Sequence, residues 1–96
     1  MDKRIATRAP AVAGTFYPSP PQQLADNVNA LLGAVDARKF IASPKAIIVP
    51  HAGYIYSGLT AATAYASLLN AAEIRRVVLL GPVHRVPVRG LALPGV

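Results

Sequence analysis

Two histidines are the residues of this sequence whose type and spacing could do chemistry. His51 follows the apolar run 45–49 and a proline, and His84 follows the apolar run 77–80 and a Gly-Pro pair. Neutral imidazole is the commonest protein ligand for transition metals. Either histidine alone could simply cap a backbone carbonyl in a loop. The same arrangement after two consecutive apolar runs favours a joint role, so the sequence predicts that His51 and His84 contribute to one metal site.

Two imidazoles do not complete such a site. Catalytic zinc and non-haem iron take three protein ligands and keep further positions open. The chain has no cysteine and no third histidine, and its four acidic residues lie near predicted helices or at the terminus rather than after the apolar runs. A third ligand is therefore not expected from these 96 residues.

Residues close to each histidine could assist the chemistry. Tyr56 could donate a proton at the site, and Tyr54 could contact a substrate, although both rings could equally pack at the surface. Arg85 directly follows His84 and could bind an anionic group, although a solvated loop arginine is the commoner case. The patterns G-x-G-x-x-G and G-x-S-x-G do not occur, which argues against dinucleotide binding and against a serine hydrolase.

A strand–helix–strand unit would position these side chains. The runs 45–49 and 77–80 are rich in β-branched residues and predict buried parallel strands, and residues 57–70 between them predict an alanine-rich helix capped by Ser57. Such crossovers are nearly always right-handed, and both strands then end at the same sheet edge. Ligand sites of open α/β sheets lie at that edge. The predicted fold class is therefore α/β, with a parallel-sheet βαβ core and both histidines at one edge.

An earlier helix and two further segments complete the predicted elements. Ser19 could cap a helix in which Pro20 takes the first position and Gln22 completes a capping box. Apolar residues then recur at helical spacing. Residues 11–18 are predicted to be an extended segment lying against the fold, and residues 90–94 could begin a third strand.

The composition narrows the class of protein. Hydrophobic residues make up 53% of the chain and charged residues 15%, which indicates apolar surface that further chain or a partner covers. The net charge of +6 comes from dispersed pairs of basic residues without interleaved aromatic residues, a pattern typical of solvated surface rather than a dedicated nucleic-acid binder. No segment resembles a signal peptide or is long enough to span a bilayer, so we expect a cytoplasmic protein without a membrane partner.

Three stretches of the sequence resemble the Memo family, whose bacterial and archaeal members are called AmmeMemoRadiSam system protein B. They are AVAGTFYP at 11–18, PHAGYIYSG at 50–58 and LGPVH at 80–84. They occur in the order and approximate spacing of the family and span nearly the whole chain, and the Pro-His-Ala-Gly-Tyr stretch is the most specific. Val83 stands where the family commonly has serine, which removes one polar group near the second histidine.

The resemblance implies a fold similar to that of class III extradiol dioxygenases, an α/β sandwich with a metal pocket at a sheet edge. It implies that His51 and His84 are the first two metal ligands and that Tyr56 lines the pocket. The remaining ligand of the family, a cysteine, comes from later sequence. Since family members are considerably longer, residues 1–96 are expected to form a single partial domain, the N-terminal portion of a longer Memo-like domain.

Three hypotheses for function follow. The first is a metal-dependent, dioxygenase-like oxidoreductase in which His51, His84 and a third ligand outside this chain hold iron or copper. In this enzyme Tyr56 would assist proton transfer, while Tyr54 and Arg85 would contact an unidentified small molecule. The second is a non-catalytic, peptide-binding module of the Memo type, with Arg85 or Arg89 binding a phosphate or carboxylate. The third is that the chain alone has no independent activity.

Overall fold

The chain divides into two compact units. The computed structural model describes residues 7–36, 38, 43–71 and 73–93. One unit, called here the helical unit, covers Ala11–Ile74. The other, called the terminal unit, comprises Met1–Pro10 and Arg75–Val96. The predicted single partial domain over residues 1–96 stays a prediction.

Two α-helices pack against each other in the helical unit. Helix α1 is Pro21–Gly33 and helix α2 is Tyr54–Ala66. Neither has the length and apolar character that crossing a bilayer requires, and the described residues contain no other candidate span. Most of the regular secondary structure near His51 belongs to these two helices.

Helix α1 starts one position later than the sequence predicted. Pro20 has φ −62° and ψ 130°, so it is extended and acts as N-cap, and Pro21 occupies the first turn. The residue before a proline is disfavoured in the helical region, so the second proline forces this start. The predicted cap by Ser19 and capping box with Gln22 are therefore wrong. Instead Gln22 Nε2 donates to Asp26 Oδ1 at 2.8 Å, one turn further along the helix.

Helix α2 starts before the predicted cap. Its N-cap is Gly53, so Ser57 lies inside the first turn and the predicted cap by Ser57 is wrong. The first amide of the helix does not need a side-chain cap, because the N–H of Tyr54 donates to the backbone oxygen of Phe16 at 2.8 Å. At the other end, Ser67 and the next residues continue as tight turns closed by bonds to the carbonyl three residues back.

Residues 11–18 form a closed loop, called here the Gly14 loop, rather than the predicted extended segment. The amide of Gly14 donates to Tyr17 O at 2.7 Å, and the amide of Phe16 donates to Val12 O at 2.9 Å. Gly14 has φ +84°, a left-handed conformation that glycine adopts without steric cost. The segment does lie against the fold, since it supplies the Phe16 carbonyl that receives the first amide of α2.

No β-strand ladder occurs in the described ranges, where the one β-bridge is an isolated contact between Ala13 and Tyr17. Residues 45–49 and 77–80 carry no regular secondary structure, and Ile48 is 97% exposed. A parallel strand exists only when a neighbouring strand accepts its hydrogen bonds. The parallel-sheet core and its resemblance to the dioxygenase sandwich therefore stay predictions, as does the strand at 90–94, whose last residue lies outside the described residues.

The interior of the helical unit is built from small side chains. Ala62 and Ala66, on one face of α2, are the buried hydrophobic residues of the described chain, with 5% and 1% exposure. A Cβ built on Gly58 would lie 3.0 Å from Leu31 Cδ1, which shows how closely α1 approaches α2. Small residues on α2 thus bring the two helices together beside the turn that carries His51.

Candidate functional site

His51 lies in the wall of an apolar cleft of about 600 Å³ in the helical unit. The cleft is bounded by the Gly14 loop, both helices, the turns after α2 and residues 49–52. Few polar residues line it, and they include His51, which is exposed, and Ser57, which is buried. A concave apolar surface with a small number of polar groups is the common form of a ligand site.

The backbone that follows His51 is held by α2. The hydroxyl of Ser57 donates to the carbonyl of Ala52 at 2.8 Å and makes a longer contact, 3.3 Å, with the carbonyl of Gly53. Gly53 O also accepts the amides of Tyr56 and Ser57 at 2.9 and 3.0 Å. Ser57 is only 8% exposed, so its bond to Ala52 is partly shielded from water. The turn between His51 and α2 is therefore fixed from the helix side.

The Gly14 loop holds the same turn from the other side. A Cβ built on Gly53 would lie 3.5 Å from both Cα and O of Phe16, so the two backbones are in van der Waals contact. The ring of Tyr17 lies against the ring of Tyr54, with centroids 5.7 Å apart and planes inclined by 38°. Tilted ring pairs at this distance are favourable. The start of α2, and with it the turn after His51, is anchored by both backbone and side-chain contacts.

The two tyrosines predicted to assist the site occupy different surroundings. Tyr54 is half-buried and lines the cleft together with His51. Tyr56 is 85% exposed and does not line that cleft in the described structure. Both belong to the first turn of α2, where residues two apart point in different directions. The predicted roles of Tyr54 in substrate contact and of Tyr56 in proton transfer stay predictions.

The second histidine belongs to the terminal unit. His84 and Arg85 are exposed and lie in a segment, residues 75–93, without regular secondary structure. The structure therefore brings His51, Tyr54 and Ser57 together within one unit, and it places His84 beside Arg85 in the other. The joint site of the two histidines stays a prediction.

The donor chemistry fits part of a metal site. Imidazole is a suitable ligand for iron and copper, and a catalytic site of this kind takes at least three protein ligands. In the part of the chain that the structure describes, no group of three or more His, Cys, Asp or Glu side chains could hold a metal ion. The imidazoles of the two histidines are suited to be members of a ligand set, and the expectation that the third ligand lies outside this chain stays a prediction.

Sequence reasoning missed the residues that hold the His51 turn. Ser57 was interpreted as a helix cap, and the carbonyl of Phe16 had no predicted partner. Gly53 was the feature of the sequence that could have indicated the true start of α2, because glycine is also an acceptable N-cap. A helix beginning after Gly53 places Ser57 in its first turn, within reach of the preceding carbonyls. The contact with Phe16 is long-range in sequence, and no local pattern encodes it.

The model of the Memo family, described as Memo-like protein, matches residues 8–94 of this chain. Among curated proteins, the MEMO1 family protein of Aquifex aeolicus is 51% identical over 81 residues, covering 83% of this chain and 28% of that protein. A MEMO1 family protein of Thermoplasma volcanium is 41% identical over 78 residues, covering 81% of this chain and 28% of its own length.

The similarity extends to animals. Human Protein MEMO1 is 38% identical over 96 residues, which is 100% of this chain and 31% of the human protein. The chain thus spans less than a third of the length of these relatives. Among solved structures, none is significantly similar to it.

Proposed function

This chain belongs to the Memo-like protein family, and from that membership we propose that it contributes His51 and His84 to the metal site of a dioxygenase-like redox enzyme. A third ligand, which these residues do not contain, completes the set. Iron or copper bound there supplies redox chemistry towards oxygen or a small oxygenated substrate. In this proposal the residues of this chain bind and orient the substrate beside the metal and exchange protons with it.

The position of His51 is the observation that supports this proposal most directly. His51 is one of the residues that line an apolar cleft, and hydrogen bonds from Ser57 and to Phe16 hold the turn that follows it. Metal ligands bind best when surrounding groups fix them before the ion arrives.

The neighbouring residues have distinct roles in the proposal. Tyr54, which shares the cleft wall with His51, contacts the substrate. Tyr56 assists proton transfer through its phenol, and Arg85, next in the chain to His84, binds an anionic group of the substrate. The cytoplasmic location predicted from the sequence is part of the proposal and stays a prediction.

Metal titration of the complete gene product tests the proposal. The double variant His51→Ala/His84→Ala is expected to lose at least about 100-fold in affinity for Fe²⁺ and Cu²⁺, because removal of ligands costs more than removal of the groups that support them. Binding is measured by calorimetry and by metal content after dialysis. The matched control is Ser67→Ala, which removes an equally buried hydroxyl, 8% exposed, at the opposite end of α2.

Unchanged metal affinity in the double variant would contradict the metal site. In the non-catalytic alternative, the same apolar cleft would receive part of a peptide. A double variant that no longer holds metal but still binds a peptide partner as tightly as the unaltered protein would favour that binding module.

A further inference from the structure

The hydroxyl of Ser57 makes a bond that helical serines do not ordinarily make. In the same helix, Thr63 Oγ1 donates to Leu59 O, the carbonyl four residues back, at 2.9 Å on an exposed face. That bond stays within the helix and is the usual local alternative for a hydroxyl. Ser57 makes its shorter bond, 2.8 Å, with the carbonyl of Ala52 five residues back, outside the helix.

The accepting carbonyl belongs to the residue directly after His51. A hydrogen bond to Ala52 O restrains the peptide unit between Ala52 and Gly53, and so limits how far the backbone that follows His51 can move. Gly53 would otherwise allow wide motion here, because it has no side chain to restrict its dihedral angles. The bond is part-buried, and loss of a partner for a buried polar group costs free energy.

We propose that Ser57 is a positioning residue for His51: its hydroxyl, by holding the Ala52 carbonyl, keeps the imidazole in the cleft wall where it can serve as a ligand. The reason for positioning His51 rests on the proposed metal site, whereas the hydrogen bond from Ser57 to Ala52 O does not depend on it. Ser57 is not itself a metal ligand in this proposal. It acts through the backbone, as the outer groups that orient metal ligands do.

The first measurement needs no metal. In the metal-free complete gene product, the ring resonances of His51 are identified by their absence in His51→Ala. Ser57→Ala is expected to shift and broaden these resonances, because the imidazole then samples several orientations. The ring resonances of His84 provide an internal reference. Ser67→Ala, which removes an equally buried hydroxyl bonded to Ala64 O, is expected to leave the His51 resonances unchanged.

A second pair of variants separates the hydroxyl from the shape of the side chain. Threonine and valine have the same shape and differ in the hydroxyl alone. Ser57→Thr is expected to keep the His51 resonances near their original positions, and Ser57→Val is expected to move them as Ser57→Ala does. This pair remains informative if the alanine variant fails to fold.

The second measurement uses Cu²⁺ as the probe. Ser57→Ala and Ser57→Val are expected to weaken Cu²⁺ binding about 10-fold, the lower end of the effect of losing a group that orients a ligand. Ser57→Thr and Ser67→Ala are expected to bind Cu²⁺ as the unaltered protein does. The electron paramagnetic resonance spectrum of bound Cu²⁺ should change in the first two variants, which a general loss of stability would not produce.

The two proposals fail in different ways. His51 ring resonances that are identical in Ser57→Ala, Ser57→Val and the unaltered protein would overturn the positioning role, whatever the metal does. Cu²⁺ affinity that is unaffected by His51→Ala would overturn the metal site. The ring measurement in the metal-free protein would then still decide whether Ser57 positions the imidazole.

Discussion

Gly14 influences the structure around His51, although the two residues are far apart in the sequence. Its φ of +84° closes the Gly14 loop, and a Cβ there would meet nothing nearer than Ser19 Cβ at 3.6 Å. An added side chain at this position would therefore have room, and only the left-handed backbone conformation restricts which residues can replace Gly14. The loop in turn presents the Phe16 carbonyl that accepts the first amide of α2.

Gly14→Ala is expected to destabilise the complete gene product by about 1 kcal/mol, because an L-residue is strained in the left-handed region. Gly33→Ala is the matched control. Gly33 ends α1 without positive φ, and no atom lies within 4 Å of an added Cβ, so this change should stabilise by about 0.5 kcal/mol. Urea denaturation measures both. Equal effects of the two substitutions would contradict the assigned role of Gly14.

At the scale of elements, the contact between the two helices depends on the absence of a side chain at Gly58. An added Cβ would lie 3.0 Å from Leu31 Cδ1 and 3.4 Å from Tyr54 Cβ. The position follows Ser57 directly, so any displacement of α1 from α2 here acts on the residue that holds the His51 turn.

Gly58→Val is expected to destabilise the protein by about 1–3 kcal/mol, the range for an overpacked contact. In a Leu31→Ala background the same change should cost less, since the clashing methyl groups are gone, with a coupling free energy of at least about 0.5 kcal/mol. A double-mutant cycle by denaturant unfolding measures this coupling. Additive effects would mean that Gly58 and Leu31 do not limit the approach of the helices.

The elements also show what local sequence can and cannot encode. Apolar spacing predicted both helices correctly, because that spacing reflects one apolar face, which is buried in part of α2 and at most half-buried in α1. The predicted cap was one residue too early for α1, Ser19 instead of Pro20, and it was too late for α2, Ser57 instead of Gly53. At α1 the second of two prolines decides the start, and at α2 a carbonyl from the Gly14 loop removes the need for a serine cap. The first is local and could have been predicted, whereas the second is a tertiary contact.

The candidate site divides in the same way. His51 could be singled out from the residues around it, and the structure places it in a cleft wall. Ser57 could not be assigned its role, because the bond to Ala52 O depends on where α2 begins. The predicted meeting of His51 with His84 needs a sheet whose strand pairing is not encoded within either run.

At the scale of the whole molecule, the described residues include many more apolar side chains than the interior buries. In the described residues, the buried hydrophobic side chains are two alanines, while Val78 and Leu79 are 86% and 84% exposed. Hydrophobic burial is the main term that favours folding, so a chain with this distribution has little to oppose its conformational entropy.

The isolated 96-residue chain is therefore expected to unfold in a broad transition of low enthalpy. A well-packed domain of this length would absorb about 60–80 kcal/mol on melting, and we expect well under half of that by scanning calorimetry. It should also bind a hydrophobic dye before heating. The complete gene product provides the comparison. A sharp transition of full enthalpy from the 96 residues alone would contradict the expectation.

The bond between the Tyr54 amide and the Phe16 carbonyl also sets an order of events in time. Contacts between residues far apart in the chain form late, because a long loop must close first. The turn after His51 cannot be complete during synthesis until residue 57 has been made, α2 has formed and the Gly14 loop has come back to meet it. We therefore expect the turn after His51 to reach its final geometry late in folding, and a metal ion at the proposed site to bind only after that turn has formed.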